Sequence, residues 1–469
     1  MKFQSSNLFS FFVLFLFVLS FHLFRDVTQF YWDSNEYWFN SFPQWMFNFP
    51  PSIRGYVVSF FFLPVHLFSF LFYGAEIFWY RIYFSLMFSY FFIFVFPRVY
   101  FHLFGGFLSP VRVLIVPFLV LLLLPGVVLY PLSDLLSFSF LVVSLYFLHV
   151  PSSRSVYFRF FMSGLFLYAA YNSRTIYIFP FVFVFGYNVY CIAKSSTISR
   201  KAVILLTFFS GILVASIPQI AINLNSKNTF SPMVITKNPL STTNVSLFSA
   251  QLMWGITIQR YETVIDPNAI SPGRYYMDRA GINIFHKEAL SIDKVSIPSY
   301  FSLLLKYPVD FVGIYGRHFF NGLDLRDGII YIEDSLSQSS WLSLFNSLLI
   351  FLALFTVCVR YTNYSSKGYS DLAIKPTRNS SLFWFFVLIS PVLFIVPGAI
   401  ETRFFLPLHL LLWATIAYKF SWVDAREFLS RHLLITCFSF VIFILFYFSI
   451  VLSTMAVPER IDPIYKFWL

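Results

Sequence analysis

The sequence predicts an all-α polytopic membrane protein with about eleven spanning helices, alternatively twelve, and one mixed domain looped out of the bilayer. Three observations carry this. The 469-residue chain is 58% hydrophobic and 23% aromatic, with mean hydropathy +0.73, above the roughly 45–50% apolar content of a soluble domain. Apolar runs of about 17–25 residues, long enough to cross a bilayer as helices, recur along the chain. Only 225–340 lacks such a run and regains charge, Pro and Gly. The chain therefore divides into an N-terminal transmembrane module (1–224) with an acidic first external loop (25–80), an external loop domain (225–340), and C-terminal helices with an external tail (341–469).

The first run, Leu8 to Phe24, follows a short N-terminus like a signal peptide's, but no small-x-small site comes after it, so it reads as an uncleaved helix. The run Tyr56 to Tyr73 is different. If it spanned, every later Lys and Arg cluster would fall on the outer face, against the positive-inside rule. With Pro64 and His66 inside it, it reads as a bent, partly wetted, non-spanning helix of the first external loop. Spans then follow at about Phe78–Pro97, Val113–Tyr130, Leu135–Val150, Phe160–Tyr171, Ile176–Ala193 and Ala202–Leu224. Within the loop domain, Tyr307 to Asp324 reads as an amphipathic helix ending at Gly316 or at Asn321-Gly322. The remaining spans are Trp341–Val359, Ser381–Pro397, Phe404–Tyr418 and Leu433–Ser453, separated by inner loops rich in Lys and Arg. Those loops account for the net charge of +11 without nucleic acid. Cys191, Cys358 and Cys437 lie in or beside apolar runs as small hydrophobes, with no CxxC or His cluster to suggest a disulfide framework or zinc.

The stretch Arg25 to Gly55 is the most informative for function. It sets Asp26, Asp33 and Glu36 among Tyr, Trp and Phe in a chain that is only 11% charged. Aromatic rings form a belt at the membrane–water boundary, where a lipid-carried substrate would present its polar head. Asp33, next to Tyr31-Trp32, is the candidate general base, and Glu36 shares its face if the stretch is helical. The two supply oxygen ligands of the kind Mg2+ or Mn2+ accepts, but two carboxylates do not define a metal site and no metal ligand is assigned. The same outer face collects Arg54, Arg81, Asp134, Arg174, Glu401 and Arg403 as substrate-binding candidates. Arginines suit a phosphate because they bind it through bidentate, charge-assisted hydrogen bonds. His318, and with it His286 and Lys306, could reach substrate from the loop domain. Each also has an ordinary role: Arg81 and Arg174 could snorkel, Glu401 and Arg403 could pair with each other, and the loop residues could be plain surface. No Walker, GxGxxG, GxSxG or HExxH pattern occurs, so nucleotide-driven and serine-hydrolase chemistry lack support.

This layout resembles the GT-C class of membrane glycosyltransferases, which take sugars from polyprenyl-phosphate donors. D-S-N-E at Asp33–Glu36 occupies the position of that class's acid in the long first external loop, which also holds a non-spanning helix. L-Y-P-L-S-D, ending at Asp134, looks like its second outer acid. E-T-R-F-F-L-P-L-H-L-L-L, from Glu401, is similar to an arginine-aromatic-proline helix start in bacterial members. D-S-N-E departs from the D-x-D of metal-dependent oligosaccharyltransferases, and the absence of a WWD-type motif argues against asparagine glycosylation. The resemblance implies an inverting enzyme of the bacterial inner membrane, facing the periplasm. It would pass a sugar from a polyprenyl-phosphate donor to a glycan or lipid-linked glycan such as lipopolysaccharide or O-antigen. An O-antigen polymerase or ligase, which relies on external arginines, is the alternative enzyme. A lipid-linked sugar flippase is the alternative of another class, although the nearly charge-free helix interiors and the lack of repeats count against it.

Overall fold

The computed structural model describes residues 3–46, 48, 55–151, 153–193, 198–235, 247–265, 273–290, 296–326, 328, 330–332, 340–366, 378–456 and 458–459. The chain is mostly helical. It opens with α1 (Phe3–Arg25), the short α2 (Trp32–Phe39) and α3 (Pro43–Met46), then α4 (Val57–Phe72). Helices α5 (Glu76–Tyr90) and α6 (Phe96–Phe104) are joined by a π-helical turn at Phe91–Val95. That turn precedes Pro97, which has no N–H to give the ladder, so the register shifts there. Next come α7 (Arg112–Leu123), α8 (Gly126–Leu129), α9 (Ser133–His149), α10 (Val156–Ser173), α11 (Ile178–Ala193) and α12 (Ile198–Lys227). A mixed segment follows, with α13 (Leu247–Thr257), β1 (Ile258–Val264), β2 (Gly273–Met277), α14 (Arg279–Lys287), α15 (Ile297–Lys306), α16 (Pro308–Leu323) and β3 (Tyr331–Ile332). The chain closes with α17 (Ser340–Ser366), α18 (Arg378–Ile395), α19 (Leu406–Lys419), α20 (Trp422–Met455) and β4 (Pro458–Glu459).

Among the described residues, five segments are long and apolar enough to cross a membrane: Asn7–Arg25, Glu76–Phe104, Lys201–Lys227, Ser340–Thr362 and Trp422–Met455. Five shorter apolar helices, at Val57–Phe72, Arg112–Leu123, Ser133–His149, Thr175–Tyr190 and Asn379–Ile395, accompany them. This is a membrane-embedded helical protein. Each apolar run of the sequence forms helix, and most of the buried apolar side chains join one core that α1, α5, α7, α9 and α19 all enter. Close packing of α10 on α12 depends on glycine: a Cβ at Gly164 would strike the Phe208 carbonyl, and one at Gly211 the Phe161 carbonyl. Such small-residue contacts let helix backbones approach where lipid supplies no hydrophobic drive.

Two details depart from expectation, and one choice between expected ends is decided. His66 in α4 is buried rather than wetted, at 4% exposure. Its ring stacks on Phe42 at 4.0 Å, and its Nε2 lies 2.7 Å from the Ser41 hydroxyl. Helix α16 runs through Gly316 to Leu323, the later of the two expected ends. The expected inner loop with Arg426 and Arg431 is helical and belongs to α20, which breaks at His432 (φ −131°, ψ 25°) just before the apolar run begins.

The mixed segment builds a four-stranded sheet in the order β3-β1-β2-β4. β1 and β2 are antiparallel, β3 runs parallel to β1, and β4 returns from the chain's last described residues to pair with β2. Side chains alternate across a strand, and β1 uses both faces. Arg260 and Glu262 point into a buried charge network with Asp324 and Arg326, at 2.7 Å for Arg260–Glu262, 3.2 Å for Arg260–Asp324 and 2.6 Å for Arg326–Asp324. Tyr276 and Tyr447 hydroxyls donate to Glu262 and Asp324, both at 3.1 Å. This network ties β1 to α16, α17 and α20, because Ser343 of α17 also donates to Asp324. Tyr261 and Thr263 face the other way, toward the charges described next.

Candidate functional site

Five charged side chains from four distant segments meet at one end of the helix bundle. Asp33 stands in the first turn of α2 and Asp134 in the first turn of α9. Helix N-termini favour a carboxylate there. Arg174 follows the C-terminus of α10, where the dipole favours a cation. Glu401 and Arg403 flank the start of a 3-10 turn (Thr402–Phe405) that leads into α19, with Pro407 pre-setting the helix start. Arg403 is the hub: its guanidinium lies 2.8 Å from Glu401, 3.4 Å from Asp33 and 3.8 Å from Asp134. Arg174 pairs with Asp134 and lies 4.2 Å over the Phe404 ring. Asp134, Glu401 and Arg403 are buried, and Asp33 is the most open of the cluster's acids, with 26% of its side chain exposed.

The scaffold around these charges is held from both sides. Trp32 Nε1 donates to the Val264 carbonyl at 3.2 Å, and the Ser34 N–H donates to the Tyr331 hydroxyl at 3.3 Å. The Tyr261 N–H donates to the Ile400 carbonyl at 2.8 Å, and the Thr263 hydroxyl reaches Glu401 at 3.4 Å. Trp32 and Ile330, each next to a residue of this scaffold, take left-handed backbone conformations at φ 45° and 77°. Such conformations cost of order 1–3 kcal/mol in a bulky residue and gather at functional sites. Desolvation raises Tyr261 well above the ordinary phenol range and pushes Tyr331 up to about 12, so both hydroxyls stay protonated as donors.

Beside the cluster is a narrow crevice with room for little more than a water molecule. Asp134, Arg174 and Arg403 line it together with Tyr177 and the apolar side chains of Ile176, Pro391, Ile395, Phe404 and Pro407. An arginine pair beside apolar side chains suits an anionic group that carries a hydrocarbon chain, which would need the crevice to widen.

The other candidates sit elsewhere. Arg81 pairs with Asp26 at 2.7 Å and donates to the Val27 carbonyl at 3.1 Å, so it engages the loop before Asp33 and is not bonded to the cluster. His318 is buried, and its Nδ1 lies 2.6 Å from the Val396 carbonyl. Burial pushes its pKa down, so the neutral ring donates Nδ1–H to that carbonyl and braces the backbone just upstream of Glu401. Lys306 pairs with Glu288 at 2.8 Å, and His286 is exposed at the end of α14. Glu36 is half-buried one turn along α2 from Asp33. Arg54 lies outside the described residues. Among the described residues no group of three or more His, Cys, Asp or Glu side chains is arranged to hold a metal ion, and the cluster's acids are bonded to arginines instead.

Sequence reasoning missed Tyr261, Thr263 and Tyr331, which complete the wall of the site. A signal was present in R-Y-E-T, where two charges alternate with two neutral polar residues at the two-residue period of a strand.

Three carboxylates share two guanidiniums here, leaving one formal negative charge. Desolvation raises the pKa of Glu401, the Arg403 charge opposing it. A carboxyl whose folded pKa is raised favours the folded state fully below its unfolded pKa, about 4.3, and loses that contribution as pH climbs through the folded value. Glu401→Gln is therefore expected to flatten the pH dependence of the melting temperature above about pH 4.3. A variant whose melting profile keeps the wild-type slope would contradict this.

Comparison with known proteins returns no matching family model, no matching curated protein and no matching solved structure.

Proposed function

We propose that this chain is an inverting glycosyltransferase that moves a sugar from a polyprenyl-phosphate donor to a glycan or lipid-linked glycan acceptor. The observation that carries the reading is the meeting of Asp33 with the Arg174, Arg403, Asp134 and Glu401 cluster, beside a crevice partly lined by apolar side chains. In this reading eleven helices span a bacterial inner membrane and the cluster faces the periplasm. Asp33 takes the proton of an acceptor hydroxyl whose oxygen attacks the anomeric carbon. The bond from that carbon to the phosphate oxygen breaks, and polyprenyl phosphate leaves with its charge held by Arg174 and Arg403.

The ion pairs supply a trigger. While Arg403 neutralises Asp33, that carboxylate is a poor base. A donor phosphate that competes for Arg403 would weaken its ion pair with Asp33, which links donor binding to the base. No step is assigned to a metal.

Purified protein in lipid nanodiscs, given a panel of radiolabelled polyprenyl-phosphate sugars and envelope-glycan acceptors, should release one polyprenyl phosphate per sugar transferred. Failure of folded protein to turn over any donor would sink the enzyme reading. Activity that depends on Arg174 and Arg403 but is indifferent to Asp33 would favour an O-antigen polymerase or ligase.

A further inference from the structure

Helices α15 and α16 carry an apolar stripe that no other described residues cover. Ile297, Phe301 and Leu305 recur every four residues along α15, and Val309 and Val312 continue the exposed surface at the start of α16. Leu305, Val309 and Val312 are 79%, 82% and 72% exposed, although neither helix belongs to a membrane-crossing segment. The inner faces of the same helices are packed by Tyr300, Leu303, Phe311 and Ile314, so the stripe is a second apolar face rather than a displaced core.

We propose that this corner is seated in the lipid headgroup–acyl boundary of the adjacent leaflet. Two observations choose lipid as the occupant. First, the far end of α16 already touches the lipid-facing surface: the Phe320 ring lies 5.2 Å from Phe446 of α20. Phe446 is half exposed, on a membrane-crossing helix that continues to Met455. Nine residues of helix place Phe446 about 13 Å below that end, so α16 reaches bilayer depth. Second, the charges at the corner balance. Lys287 and Lys306 face Glu288 and Asp310, with Lys306 bonded to Glu288 at 2.8 Å. Apolar insertion therefore carries the contact.

The seat bears on the charged cluster. The Tyr300 hydroxyl donates to the Pro397 carbonyl at 3.4 Å, and His318 bonds the Val396 carbonyl. The backbone that carries Glu401 and Arg403 is thus held by helices that rest on lipid. This inference uses no part of the proposed reaction.

The test uses the full-length protein in nanodiscs with Cys191, Cys358 and Cys437 replaced by serine. An environment-sensitive fluorophore is attached at Leu305→Cys or Val309→Cys, with Asp310→Cys as the wet reference. All three positions are exposed, so labelling leaves the core intact. Lipid-borne nitroxide should quench the probes at 305 and 309 several-fold more than at 310, aqueous iodide should do the reverse, and the pattern should not change with the anionic lipid fraction. Iodide quenching at 305 and 309 equal to that at 310 would overturn the proposal. Protection from both quenchers would overturn it too, showing that a second copy or another protein covers the face.

Discussion

Asp33→Asn is expected to lower sugar transfer by about 10²–10⁴-fold, the range a positioned general base contributes, while leaving the fold intact. The substitution keeps the size and shape of the side chain at the first turn of α2, where the Trp32 and Ser34 hydrogen bonds hold the backbone. It removes the carboxylate that can receive the acceptor's proton and the ion pair to Arg403 at 3.4 Å. A merely structural Asp33 would give a different result: lower melting temperature with activity falling in proportion. Asp134→Asn separates the two acids further, because Asp134 is buried and held by both arginines. Its loss should weaken donor binding more than turnover.

Removing Arg403 should have the largest effect on stability. Arg403→Met leaves Glu401, Asp33 and Asp134 with only Arg174 to balance them. Breaking a buried ion pair by deleting one partner costs about 3–5 kcal/mol, because the remaining charge stays desolvated. Unfolding of the purified variant should show a deficit of that order, and acidification should shrink the deficit as the stranded carboxylates protonate. Arg403→Lys should recover much of the stability by restoring the charge, yet transfer poorly, since an ammonium cannot reproduce the planar bidentate grip on a phosphate. Arg81→Met is the control. Its partner Asp26 is largely exposed, so deleting Arg81 strands no desolvated carboxylate and the deficit should be much smaller.

The helices were legible because each apolar run is a local signal, and lipid-facing segments need no partner to declare themselves. The candidate cluster was legible for a less local reason. Sorting loops by their Lys and Arg content put Asp33, Asp134, Arg174, Glu401 and Arg403 on one face, and helix ends on one face are the places where charges can meet. Which charge meets which was not legible. Arg81 and Arg174 are both arginines at helix ends, but one turns to Asp26 and the other to Asp134, a choice made by packing between helices far apart in sequence. His66 and His318 reveal the same limit. Each looks polar enough for water or substrate, yet each is enclosed, one against Ser41, Phe42 and Trp38, the other against a backbone carbonyl. The return of β4 to β2 had no sequence signal, because a two-residue strand is defined by its neighbour alone.

The most direct measurement runs wild type, Asp33→Asn and Arg81→Met side by side in the radiolabelled polyprenyl-phosphate sugar assay, with melting temperatures recorded on the same preparations and an EDTA arm. The account predicts transfer by wild type and Arg81→Met and loss of transfer by a well-folded Asp33→Asn. The EDTA arm then reports whether a divalent cation takes part. Normal transfer by Asp33→Asn, or no transfer of any sugar by folded wild type, would contradict it.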